Sequence, residues 1–111
     1  MEDCKDLDIL ILTTTVGSAA DAERMARELM EQRVAACVQI ETLRSFYHWQ
    51  GKLCDEAEWR LVIKAVPEGS DRLRALLAQI HPYELPQVVA WTARASADYA
   101  AWIRAEVAPS P

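Results

Sequence analysis

Residues 43–50, LRSFYHWQ, and residues 58–66, EWRLVIKAV, are the two stretches that decide the fold. The first alternates apolar and polar residues and carries three aromatic rings, and the second is rich in branched and aromatic side chains. Both patterns are typical of strands. Gln50-Gly51-Lys52 supplies a turn signal directly after the first stretch. Together the two stretches predict a β-hairpin.

On the N-terminal side of the hairpin, the sequence predicts two strands and a helix between them. The strands are residues 7–15 (LDILILTTT) and 34–41 (VAACVQIE). Ser18 is a suitable N-cap for the helix, with Asp21 three residues later as an acidic form of the capping box. Apolar residues then recur at the spacing of an amphipathic helix: Ala22, Met25, Ala26, Leu29 and Val34.

On the C-terminal side, residues 67–70 (PEGS) end the hairpin and a second helix follows. That helix must end before Pro82, because the residue before a proline is displaced from the helical region. Residues 85–93 predict a further strand and residues 96–107 a terminal helix. The second helix is indicated by four apolar residues at helical spacing: Leu73, Leu76, Leu77 and Ile80.

The predicted fold is α+β: a ferredoxin-like βαββαβ sandwich with an extra C-terminal helix. We expect one domain over residues 7–107, a disordered or frayed N-terminus over residues 1–6, and a tail over residues 108–111. Helices are expected to cover one face of the sheet. The aromatic residues of the hairpin would then leave an apolar patch on the other face, which identical subunits would bury by assembling.

Composition excludes several classes of function. The chain has 111 residues and a formal net charge of −5, which disfavours binding to nucleic acid. The longest apolar run, LDILIL, is far shorter than the roughly 20 residues that span a membrane, so no membrane role is expected. The acidic N-terminus lacks the pattern of a secretory signal. Three cysteines without C-x-x-C spacing favour reduced thiols, and a cytoplasmic location is expected.

Several blocks of the sequence, taken in order, resemble the CutA divalent-cation tolerance proteins. The likeness runs from about Leu7 to Val107. The His-Pro-Tyr-Glu-x-Pro signature at residues 81–86 makes the ordered set specific. The blocks are RVAACVQIE (33–41), SFYHWQGKL (45–53), EWRLVIKA (58–65), HPYELPQVVAW (81–91) and DYAAWI (98–103).

The resemblance implies a ferredoxin-like subunit in a PII-like homotrimer, a role tied to divalent metal ions, chiefly copper, and no established catalysis. No catalytic motif is found, so we expect neither an enzyme nor an organic cofactor. Two departures from the family pattern matter. Lys64-Ala65 replaces a common Lys-Thr pair, and Thr13-Thr14-Thr15 stands where some members carry cysteine. The second change removes a soft ligand for Cu(I).

Candidate site residues fall into two groups. His81 and Glu84 are the candidate metal ligands, since imidazole and carboxylate bind copper and other divalent ions. The alternative is structural: His81 caps a helix and Glu84 pairs with a cation. The expected ligand cleft between subunits is lined by Tyr47, Trp49, Lys64 and Tyr83. A small-molecule-sensing trimer of the PII-like kind is the alternative function. The aromatic members of this group are more typical of a subunit interface, where Tyr and Trp are enriched.

Overall fold

A computed structural model describes residues 7–109 of the chain. Its order of elements is that of the predicted βαββαβ fold with an extra C-terminal helix. The predicted frayed segment 1–6 and the last two residues of the predicted tail lie outside the described part. The elements are β1 (Asp8–Val16), α1 (Ala19–Glu31), β2 (Cys37–Trp49), β3 (Lys52–Ala65), α2 (Ser70–Ile80), β4 (Val89–Arg94) and α3 (Ala97–Glu106), with a short 3-10 turn at Pro67–Gly69.

The four strands form one antiparallel sheet in the order β2-β3-β1-β4. β1 lies in the interior and pairs with both β3 and β4, whereas β2 and β4 form the edges. The strands of the two βαβ units, β1-α1-β2 and β3-α2-β4, are thus interleaved in the sheet. This is the split βαβ arrangement that the sequence predicts.

The helix ends follow the local signals in the sequence. Ser18 Oγ accepts a hydrogen bond from the Asp21 amide at 3.1 Å, which satisfies one of the free amides at the start of α1. Helix α2 ends at Ile80, two residues before Pro82, as predicted. Strand β4 is shorter than the predicted 85–93 because it begins only at Val89. Pro86 has no amide to donate to a ladder, so the chain before Val89 remains a loop.

Helices lie on both faces of the sheet, and the prediction that they cover one face is wrong for α3. Helices α1 and α2 pack on Leu10 and Leu12, whereas α3 packs on Ile9 and Ile11. Successive side chains of a strand point to opposite faces, so these two clusters lie on opposite sides of β1. Helix α3 covers one end of its face, and Trp91 on β4 stays 48% exposed there.

The hairpin is longer than predicted and projects from the sheet. The predicted strands 34–41 and 43–50 are one strand, β2, and β3 begins at residue 52 rather than 58. The charged sequence of residues 52–58 suggests a loop, but pairing with β2 imposes a strand, since strand formation depends on context. Pairing of β3 with β1 ends at Val16 and Trp59. Beyond it, residues 43–58 form a two-stranded ribbon, and the described chain reaches 54 Å in its longest dimension.

Candidate functional site

A cavity of about 640 Å³ lies where the base of the ribbon meets the loop between α2 and β4. Thr15 of β1 and Glu58 of β3 lie on the sheet face that also carries α3, at the end that α3 leaves uncovered. The ribbon supplies one wall and the loop supplies the other. The lining residues are Thr15, Ser45, Phe46, Tyr47, Trp49, Glu56, Glu58, Pro82, Tyr83, Glu84, Leu85 and Gln87.

His81 joins this loop to β1. Its Nδ1 accepts a hydrogen bond from the Tyr83 amide at 3.1 Å, so Nδ1 carries no proton. The proton of the neutral ring is therefore on Nε2, which donates to Thr14 Oγ1 at 2.8 Å. Burial lowers the pKa of His81 below its ordinary 6.5 and outweighs the opposing hydrogen bond to the Thr15 backbone; the charge of Arg24 lowers it further.

Tyr83 forms the centre of the loop wall. Its hydroxyl donates to Glu58 Oε2 at 2.9 Å, and Glu58 is only 6% exposed. Burial raises the pKa of Tyr83 well above its ordinary value, and the hydrogen bond to the Glu58 carboxylate raises it further. Gly17 makes room for this phenol, since a Cβ atom at that position would lie 3.0 Å from the Tyr83 oxygen.

A second phenol–carboxylate pair lies on the ribbon wall. The Tyr47 hydroxyl donates to Glu56 Oε2 at 2.8 Å, across the two strands. This hydrogen bond is the largest cause that raises the pKa of Tyr47 to about 12. Trp49 lies two residues further along the same face and is 41% exposed. The ribbon wall therefore combines two aromatic rings with a carboxylate.

Most of the predicted site residues lie together, and one lies apart. Tyr47, Trp49, Tyr83 and Glu84 all line the cavity, and His81 anchors its loop from behind. Glu56 and Glu58 were not among the predicted site residues, because the sequence pattern placed them in a loop and at the start of a strand. Their alternation along β3, on the face of the hairpin that also carries Ser45 and Tyr47 of β2, is the signal that could have found them.

Lys64 is not part of the cavity in this chain. It pairs with Ile11 of β1, and the cavity residue Thr15 lies four residues further along, about 13 Å at strand spacing. The Lys64 ammonium lies 5.4 Å from the centre of the Tyr99 ring and 3.4 Å from its hydroxyl. This lysine packs against α3, where a cation–π contact holds it.

The metal ligands predicted at His81 and Glu84 remain a prediction. Both ring nitrogens of His81 are already used in hydrogen bonds within the chain, and Glu84 is exposed. Across residues 7–109, no group of three or more His, Cys, Asp or Glu side chains is placed to hold a metal ion. A structural metal site usually takes four ligands, so one described chain does not supply a complete set.

Residues 10–106 match the model of the CutA1 divalent ion tolerance protein family. The chain belongs to this family. The divalent-cation tolerance protein CutA of Pectobacterium atrosepticum is 33% identical over 109 residues, which cover 96% of this chain and 99% of the relative. The CutA resemblance drawn from the sequence blocks is thereby confirmed.

Solved CutA structures have the same fold. The PII-like protein CutA from Nostoc sp. PCC 7120, in its apo form, superposes with a TM-score of 0.84 at 32% identity and covers 89% of this chain and 97% of the Nostoc chain. The periplasmic divalent cation tolerance protein CutA from Archaeoglobus fulgidus gives 0.86 at 30% identity, with coverages of 90% and 99%. In this CutA chain, no helix within residues 7–109 is long and apolar enough to cross a membrane.

Proposed function

We propose that this CutA chain acts in divalent-cation tolerance as a PII-like homotrimer, with copper as the leading candidate ion. The observation that carries the proposal is the family match across residues 10–106. The family is named for tolerance of divalent ions, and the proposal assigns no catalytic role.

The ribbon supports assembly into a trimer. A two-stranded ribbon is marginally stable in water unless its apolar side chains are covered. Phe46 is 61% exposed and Leu53 is 66% exposed on this ribbon. The edges β2 and β4 also present unpaired backbone groups within the described chain, which a neighbouring subunit would satisfy.

Light scattering coupled to size exclusion tests the assembly. We expect a stable particle of three times the chain mass of 12.5 kDa, unchanged on dilution to micromolar chain concentration. A single-chain mass at that dilution would reject the trimer and with it any site shared between subunits.

We propose that the divalent ion binds beside Glu84, with His81 recruited only when the ion replaces one of its hydrogen bonds. The remaining ligands would come from a neighbouring subunit, because the described residues of one chain supply too few. Calorimetric titration with Cu(II) tests this. Binding should weaken in His81→Ala and Glu84→Gln and persist in His48→Ala, which removes an exposed histidine from the ribbon. Equal binding in all variants would reject the site.

A second candidate function is small-molecule sensing of the PII-like kind. It is favoured by the cavity of about 640 Å³ beside Tyr47, Trp49 and Tyr83, a size that suits a small organic ligand. A thermal-shift screen of metabolites, with Tyr83→Ala as the variant that removes one wall, tests it. A compound that stabilises the wild type and not the variant is expected, and a screen without any hit would count against sensing.

We propose a cytoplasmic location. Cys37 and Cys54 are both free thiols, which suits a reducing compartment. The Archaeoglobus relative is described as periplasmic, so the two compartments must be separated directly. Cell fractionation with marker proteins should recover this chain with the cytoplasmic markers, and recovery with periplasmic markers would overturn the assignment.

A further inference from the structure

The cavity has a strongly one-sided charge. Glu56, Glu58 and Glu84 contribute three carboxyl groups to its lining, and none of the described lining residues is Lys, Arg or His. The nearby Arg44 is already neutralised, since it binds both carboxylate oxygens of Asp55 at 2.7 Å. Anionic ligands such as nucleotides are therefore repelled, and cations are attracted.

Two of the lining carboxylates, one buried and one exposed, retain hydrogen-bonding capacity that no described side chain uses. Glu58 and Glu56 each receive one phenol hydroxyl on Oε2, from Tyr83 and Tyr47 respectively. An ionised carboxylate can accept about four hydrogen bonds. Glu58 is only 6% exposed, and a cation in the cavity would occupy acceptor positions that its one phenol donor leaves unused.

Aromatic rings supply the rest of the cavity wall. Tyr47, Trp49 and Tyr83 line it, and the faces of such rings attract cations. The ribbon already shows this chemistry, because the Arg44 guanidinium lies 4.9 Å from the centre of the Phe46 ring. Apolar walls suit an ion that carries its own carbon groups better than they suit a strongly hydrated metal ion.

We propose that the cavity binds a small organic cation, an amine or quaternary ammonium compound, with its charge held between the carboxylates and the rings. This inference rests on the sensing function proposed above and names its ligand class. Without ligands from a neighbouring subunit, a bare divalent ion fits this cavity less well, since no described group of three ligand side chains converges and the space holds far more than one ion.

Three probes of nearly one shape test the charge preference: choline, the neutral 3,3-dimethylbutan-1-ol and the anion 3,3-dimethylbutanoate. Calorimetry on the full chain, in its native assembly and in metal-free buffer, should show choline binding about tenfold or more tightly than the alcohol, as expected for a desolvated cation–π site. The anion should bind least.

Charge-neutral variants locate the site. Glu58→Gln and Glu56→Gln should each weaken choline binding by about tenfold, the effect of losing one charged contact. Glu56 is exposed, so its variant remains informative if the buried change impairs folding. Glu31→Gln, at the exposed end of α1 outside this cavity, is the matched control and should bind choline as the wild type does.

Each failure has a different meaning. Equal binding of choline and the alcohol would overturn the cation preference and leave small-molecule sensing standing. Choline binding that survives both Glu56→Gln and Glu58→Gln would overturn the assignment to this cavity. Absence of binding by choline up to millimolar concentration would also reject the inference, whereas the trimer and the metal proposals are decided separately by light scattering and by Cu(II) titration.

Discussion

Replacing Thr14 with valine tests the link between β1 and the loop that walls the cavity. Thr14 is fully buried, and its hydroxyl oxygen accepts a hydrogen bond from His81 Nε2 at 2.8 Å. Valine has nearly the same shape but cannot accept a hydrogen bond. An unsatisfied buried donor costs about 1–3 kcal/mol. The backbone of Thr15 also forms a hydrogen bond with the imidazole ring. We therefore expect the free energy of unfolding to fall by an amount near the lower end of this range, about 1 kcal/mol.

The assay is guanidinium unfolding at pH 7.5, monitored by tryptophan fluorescence. Chain concentration must be held constant, because the stability of an assembly depends on it. Thr13→Val is the matched control: it makes the same change one residue earlier on the same strand, on the opposite face, and no side-chain hydrogen bond is described for Thr13. Thr13→Val should lower the free energy of unfolding by less than Thr14→Val does.

A double-mutant cycle with His81→Ala gives the sharper measurement. If the hydrogen bond couples the two residues, their combined loss should fall short of the sum of the single losses by at least about 0.5 kcal/mol. The reasoning is refuted if Thr14→Val unfolds at the same denaturant concentration as Thr13→Val, or if the cycle shows no coupling.

The remaining predictions concern pH and the two phenols. The pKa of His81 is lower in the folded chain than its ordinary 6.5, so the unfolded chain binds more protons below that pH. The free energy of unfolding should therefore fall as pH drops below about 6.5, by at most about 1.4 kcal/mol per pH unit, and less for a partly exposed ring. Denaturation curves at several pH values should show this pH dependence of the free energy of unfolding. The contribution of His81 should be absent in the His81→Gln variant. Tyr83→Phe should lower the free energy of unfolding by about 1–3 kcal/mol, because the buried Glu58 carboxylate loses the hydrogen bond from the phenol hydroxyl. Tyr47→Phe should lower the free energy of unfolding by less than Tyr83→Phe does, because Glu56 is exposed and water can replace the lost donor. Equal losses in the two phenylalanine variants would contradict the burial argument.

Local signals determined the parts of the fold that depend on neighbouring residues. Ser18 caps α1 through the Asp21 amide, and α2 ends before Pro82, since capping and proline geometry act within a few residues. Apolar periodicity gave the order of helices and strands for the same reason. The five ordered sequence blocks between residues 33 and 103 were sufficient to indicate the family.

The candidate site was predictable only in part. Tyr83 and Glu84 were predicted because prolines and a histidine mark their loop, and Tyr47 and Trp49 because the ribbon is rich in rings. All four line the cavity, and their roles stay predictions. Lys64 was assigned to the same cleft, yet the register of β3 against β1 places it beside α3.

What only the tertiary structure decided is the arrangement across the strands. The face that receives α3, the length of the ribbon and the position of Glu58 against Tyr83 all depend on pairing between residues far apart in the chain. A shift of one residue in register would turn every side chain of a strand to the other face. The sequence by itself determined which elements form and in what order, because those signals are local. The charge and the lining of the cavity follow from a register that is fixed only when the sheet assembles.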